Sequence, residues 1–270
     1  MRKKSLAILF CLTLMSVILG AQAQSFTVPL SNPGQPVILE ASVMNGSMSV
    51  VGYEGSEVRV EVDFGADTDD DDDEVEDRSG LKRIPSSSGG VTIEEKDNKV
   101  EVGTDWSNEE VLLKIMVPYQ TSVHLSGLNG DLVEVEGVTG THELSHTNGE
   151  ITARNMRGSV IANTTNGDVI VELLEADSDT PMSFSSFNGD VEVTLPASIK
   201  ASLYMQSGRG DIYTDFDVKL LPTQPKVTQE REGRGYRVRM EKAVEGSIGG
   251  GGPEFRFKTF NGDIILRKPQ

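Results

Sequence analysis

The chain of 270 residues reads as an all-β protein, a single-stranded β-solenoid of about seven coils, and a recurring turn with patterned flanks is what predicts it. The turn occurs as Asn45-Gly46-Ser47, Asn129-Gly130-Asp131, Asn148-Gly149-Glu150, Asn166-Gly167-Asp168, Asn188-Gly189-Asp190, Arg209-Gly210-Asp211 and Asn261-Gly262-Asp263. The central five copies are spaced by 19, 18, 22 and 21 residues. Four residues before the Asn (Arg209 in one copy) stand Ala41, Leu125, Leu144, Ala162, Phe184, Met205 and Phe257, all apolar. Six before it stand Leu39, Val123, His142, Val160, Met182, Leu203 and Phe255, with His142 the exception. Directly after the turn come Met48, Leu132, Ile151, Val169, Val191, Ile212 and Ile264. Two further on are Val50, Glu134, Ala153, Val171, Val193, Thr214 and Leu266, where Glu134 and Thr214 break the rule. Period-two apolar spacing on both sides of a turn means two short strands with one buried face each, and nothing in the unit has helical periodicity.

Asn and Gly supply the positive φ that a tight reversal needs at low steric cost. Asn-Gly between alternating segments is also the standard hairpin signal, so an antiparallel β-meander or sandwich is the alternative architecture. A near-constant period with the same residue type at each corner favours the solenoid. A lone coil cannot bury its apolar row. About seven stacked coils bury four positions each, at ~1.5 to 3 kcal/mol per side chain before chain entropy is subtracted.

In chain order, Arg2, Lys3 and Lys4, the apolar run Leu6 to Leu19 and Ala21-Gln22-Ala23 form a cleavable signal peptide over residues 1–23. The run is too short to span a bilayer, which needs ~20 residues, and no transmembrane segment is expected after cleavage. The single cysteine, Cys11, lies inside this leader, so disulfide and thiol chemistry are excluded from the remaining 247 residues, read as one β-repeat domain. Residues 24–64 are opening strands, with Val58-Arg59-Val60-Glu61-Val62 alternating cleanly. The run Asp69 to Asp73 and the Ser-Gly stretch after it make 65–90 a disordered acidic insertion by composition. Strands resume at Val91-Thr92-Ile93, Lys99 to Val102 and Val111 to Val117, and the regular array runs from about 121 to 216. An irregular insertion is expected at about 221–253, with Pro222, Pro225 and Gly249 to Gly252, before a last coil over Phe255 to Leu266.

The formal net charge is −17, and losing Arg2, Lys3 and Lys4 with the leader takes it to −20. A polyanion is repelled by such a field, so nucleic acid is excluded as a partner. In a parallel stack the turn acids Asp131, Glu150, Asp168, Asp190 and Asp211 form a column at the ~4.8 Å strand spacing. Either turn amides hold these carboxylates or Ca²⁺ bridges them weakly; one oxygen per coil is thin beside the six to eight that Ca²⁺ prefers. The run Asp69 to Asp73 lacks the spaced ligands of a calcium loop. Arg209-Gly210-Asp211 spells an integrin-recognition tripeptide but is here the sixth turn. The histidines His124, His142 and His146 lack metal-ligand spacing. His142 falls on the core-facing row, and His124 and His146 are assigned outward. Trp106 with Tyr119 could stack on a sugar. No catalytic cluster, cofactor site or metal site converges, so the chain is expected not to be an enzyme.

The Asn-Gly-Asp units, with the strand-proline segments Ile115-Met116-Val117-Pro118 and Val193-Thr194-Leu195-Pro196, resemble the DUF4097 family of adhesin-labelled, toastrack domains over roughly residues 35–270. The resemblance implies a bacterial exported β-repeat domain without known catalysis. On that footing the expected function is an adhesin-like binding or scaffolding surface in the periplasm, at the cell surface or outside the cell, facing an envelope or surface protein or polysaccharide. A periplasmic envelope-stress sensing module is the alternative, and a carbohydrate-active β-helix enzyme a second one.

Overall fold

The computed structural model describes residues 23–65, 90–105, 110–222, 226–232, 235–241 and 243–269. The leader up to residue 22, the Asp69 to Asp73 run and Trp106 lie outside these. The described residues are strand, turn and loop, with no helix among them. The strands leading to the array are β1 (Gln24–Pro29), β2 (Val37–Tyr53), β3 (Glu57–Phe64), β4 (Val91–Lys96), β5 (Lys99–Thr104) and β6 (Val111–Pro118). The array holds β7 (Thr121–Glu136), β8 (Thr139–Asn166), β9 (Val169–Ala176), β10 (Met182–Asn188), β11 (Val191–Thr194), β12 (Ala201–Ser207) and β13 (Ile212–Thr214). Then come β14 (Lys219–Leu220), β15 (Lys226–Glu232), β16 (Gly235–Glu241), β17 (Val244–Ile248), β18 (Glu254–Asn261) and β19 (Ile264–Arg267).

Successive units stack in parallel with the Asn of each turn in register. Asn45 pairs with Asn129, Asn129 with Asn148, and Asn166 with Asn188. No antiparallel ladder joins the two strands that flank any of these turns, so the hairpin alternative does not describe them. The reason lies in the backbone: a two-residue hairpin turn needs positive φ at its first central residue, and in type I′ at both, and here the turn Asn does not have it. Asp97-Asn98, between β4 and β5, is a hairpin turn of this kind, with φ of 54° and 62°. Gly167 shows why the repeat keeps glycine. Its φ is 142°, and a Cβ there would meet the Gly149 carbonyl oxygen at 2.2 Å.

The inward rows are buried as the alternation predicts, from Leu39 and Ala41 through Phe184 and Phe257 before the turn and from Met48 and Val50 to Ile264 and Leu266 after it. An extra unit precedes the first Asn-Gly copy in space. β5 and β6 lie parallel to β2, and Val100, Val102, Leu113 and Ile115 continue the four rows without an Asn-Gly turn. The Glu134 exception is a one-residue bulge. Asn129 pairs with Asn148 but Val133, not Leu132, pairs with Ile151, so Val133 and Val135 point inward and Glu134 outward. Thr214 is exposed on the short end strand β13.

The last unit is not the last coil. β18 and β19 lie between the fifth and sixth units, pairing with β10 and β11 on one side and β12 and β13 on the other. Phe257 stacks on Phe184 at 5.3 Å and Phe260 on Phe187 at 5.0 Å, while the sixth unit offers Met205 and Gly208 at those rows. Aromatic matching therefore favours the seventh unit as neighbour of the fifth. The 221–253 segment, expected to be irregular, contains the β15–β16 antiparallel ladder and β17, which covers the outer edge of β12. At the other end β4 covers β5, and β3 with β1 covers β6, all antiparallel. The stack thus changes from parallel to antiparallel where it must stop, which limits unpaired edge.

Candidate functional site

The turns build three ladders along the stack. The Asn side chains donate in series: Asn148 to Asn129, Asn166 to Asn148, Asn188 to Asn166 and Asn261 to Asn188, at 2.6 to 2.8 Å. The row two residues before the turn carries hydroxyls that donate to the glycine carbonyl of the neighbouring coil. Thr164 donates to Gly149, Ser186 to Gly167, Thr259 to Gly189 and Ser207 to Gly262, at 2.7 to 2.9 Å. The sequence reading missed this row, although a recurrent Ser or Thr at fixed phase was its signal.

The turn acids form the third ladder, in an order the sequence did not give. Asp168, Asp190 and Asp263 each accept the backbone N–H of the next acid in space, Asp190, Asp263 and Asp211, at 2.8 Å. Asp131 is out of this column, because the bulge puts Leu132 opposite Glu150. Glu150 accepts from the Thr152 hydroxyl. A turn amide thus bonds each of Asp168, Asp190 and Asp263, and among the described residues no group of three or more His, Asp or Glu is placed to hold a metal ion. Arg209-Gly210-Asp211 is stacked into the array, with Arg209 5.3 Å over the Phe260 ring.

Two histidines are buried. His142 is fully buried, and its Nε2–H donates to the Arg157 carbonyl at 3.1 Å. Burial pushes its pKa down to about 4 against that hydrogen bond. His146, assigned outward from the sequence, is instead 4% exposed. It stands two residues before the turn, at the same strand parity as Leu144, so its side chain points inward. Neither ring nitrogen has a hydrogen-bond partner, and burial lowers its pKa. It occupies the place of the hydroxyl row and packs on Gly127, where a Cβ would sit 3.2 Å from the imidazole. His124 is exposed, as is Tyr119.

A trough of about 610 Å³ lies on the outer face of the strands that precede the turns. Its floor is the row of Gly103, Ser42, Ser126 and Ser145, three residues before the turn position. One wall is a cross-strand column in which Glu94 faces Glu101, Glu101 faces Glu40, Glu40 faces His124 and His124 faces Glu143. Lys99 bridges two of these, at 2.9 Å from Glu40 and 2.7 Å from Glu101. A second cavity of about 300 Å³ shares Ser126 and Ser145 with the first. Its other lining residues are Val43, Met44, Gly127, Leu128, His146 and Thr147.

Fold and surface together define a capped all-β stack with an open trough on one face. No family profile and no curated protein matches the chain. Among solved structures it aligns over 92% of its length with the whole of a candidate cell adhesion protein from Clostridium sporogenes ATCC 15579, at 13% identity and a TM-score of 0.49. It aligns over 93% of its length with 98% of a candidate adhesin from Bacteroides fragilis NCTC 9343, at 12% identity and a TM-score of 0.43. At these identities neither assigns a role to any residue here.

Proposed function

We propose that this chain is an exported, non-catalytic β-solenoid that serves as an adhesin-like binding or scaffolding surface in a bacterial envelope. The observation that carries the reading is the trough: a row of small residues sunk between two walls across five adjacent strands, on a stack whose turns are tied coil to coil. Such a surface is preorganised, so a partner docking there orders little protein and loses little entropy in doing so. A photo-crosslinking residue placed at Glu143 on the wall, in native cells, tests it, with one at Asp168 on the turn ladder as control. Capture of surface proteins or polymer from Glu143 but not from Asp168 is the expected result. Capture of inner-membrane regulatory proteins would replace the adhesin-like reading with envelope-stress sensing. Capture of nothing above the Asp168 control would remove both.

A further inference from the structure

We infer that the face carrying the trough binds a second copy of this chain in a reciprocal two-fold contact, an assignment that rests on the binding-surface reading above and names its partner. The observation is a palindrome across coils. Eight adjacent strands of this face run β5, β2, β7, the two halves of β8, β10, β18 and β12. In the outward row directly before the turn, the middle six carry Met44, Leu128, Thr147, Thr165, Phe187 and Phe260. A two-fold axis along the strand direction, between the halves of β8, lays this row reversed upon itself. Met44 then meets Phe260, Leu128 meets Phe187 and Thr147 meets Thr165. An isologous contact requires that residue i meets j and j meets i, and a row reading apolar, threonine, apolar from either end satisfies it. Within one copy the row is left uncovered: Phe187 is 51% and Phe260 42% exposed although the rings stack, whereas Phe184 and Phe257 on the other face are buried.

The same axis matches the other two outward rows, in height and in charge. Three residues before the turn, Gly103, Ser42 and Ser126 form the low trough floor, and the strands that the axis brings over them carry Gln206, Lys258 and Ser185. The long side chains of one copy thus enter the trough of the other. Five residues before the turn, Glu101 and Glu40 come opposite Tyr204 and Arg256. Arg256 and Lys258 stand 4.8 and 5.5 Å from the centre of the Tyr204 ring, so this end of the face gathers cations in a chain of net charge −17, and the acidic end of the second copy meets them. Glu143 opposite the exposed Ile161 is a mismatch. Eight strands ~4.8 Å apart and three rows ~6.8 Å apart offer ~800 Å² per copy, the size of a standard specific interface. Because the axis follows the strands, the two sheets pack with their strands aligned, one of the two ways in which sheets stack face to face.

Sedimentation equilibrium of the purified full chain tests this, with a dimer of Kd ~1 to 100 µM as the expected result. Phe187→Ser combined with Phe260→Ser weakens it about tenfold or more, whereas Tyr213→Ser, also 51% exposed but on the strand after the turn, changes it by less than about twofold. Glu143→Leu, which removes the mismatch with Ile161, tightens it. Crosslinking reads the register. Chains with Cys11→Ser and either Leu128→Cys or Phe187→Cys are mixed and treated with a bismaleimide spanning ~10 Å, the separation of packed sheets. Mixed dimers are joined, and like chains are not, because their thiols stand a further three strands, ~14 Å, along the stack. A monomer throughout, like chains joined as readily as mixed ones, or a dimer unmoved by the phenylalanine exchange overturns the assignment. Capture of other surface proteins from Glu143 in cells, together with a monomeric purified chain, removes this inference and leaves the surface reading standing.

Discussion

His142 replaces an aliphatic residue in a row otherwise made of Leu39, Val123, Val160, Met182, Phe255 and Leu203. A charged imidazole is poorly solvated there, so the fold favours the neutral form. Between pH 6.5, the ordinary histidine value, and about 4, the unfolded chain holds a proton here that the folded chain does not. Stability contributed by this group is therefore complete above pH 6.5 and lost as pH falls through that window, by about 3 kcal/mol at the limit. Urea titrations at pH 7 and pH 4.5 check this: His142→Val flattens the difference between the two relative to the unsubstituted chain. A second residue-scale prediction separates backbone conformation from crowding. Gly167→Ala costs about 3 kcal/mol or more, because positive φ and a backbone oxygen at 2.2 Å act together. Gly137→Ala, with φ of 70° and open space around it, costs about 1 kcal/mol. The glycine at each turn was legible from the sequence. His146 was assigned outward, but the strand runs unbroken into the turn and the parity of Leu144 carries His146 inward.

At the scale of the element, the repeat is held by what each coil donates to the one beside it. Ser186 is buried and satisfies the Gly167 carbonyl, whereas Asn188 is exposed and water can replace its two ladder bonds. Ser186→Ala is therefore expected to cost about 2 kcal/mol and Asn188→Ala about 1 kcal/mol, measured by chemical denaturation. The opposite order would mean that the Asn ladder, not the hydroxyl row, dominates turn stability. The acid column shows how far a sequence alignment of repeats reaches. Asp131 looks equivalent to Asp168 by count from the asparagine, yet one inserted residue moves Leu132 into its place. Glu134 at an apolar row was the trace of that bulge in the sequence, since an inward Glu without a partner would be costly.

For the whole molecule, the interposed seventh unit means that the sixth coil completes its pairing only when residues 254 to 267 arrive between it and the fifth. A chain ended at Pro253 exposes Phe184 on the fifth unit and leaves β12 without its parallel neighbour. Hydrogen exchange on that truncated chain is expected to show β12 and β13 unprotected while β7 and β8 stay protected; protection of β12 would mean that the sixth coil can dock directly on the fifth. The sequence by itself determined that the chain is all-β, where each strand pair bends and that the four apolar rows are buried, because those follow from period-two alternation and from glycine's freedom at the turn, both local properties. Only the tertiary structure decided which coil lies beside which, where the register slips, and that Glu94, Glu101 and Glu40 share one wall facing Met44 and Leu128. Neighbours in a stack are chosen by side-chain fit across coils, as with Phe184 on Phe257, and residues as far apart as 44 and 146 meet only when that choice has been made.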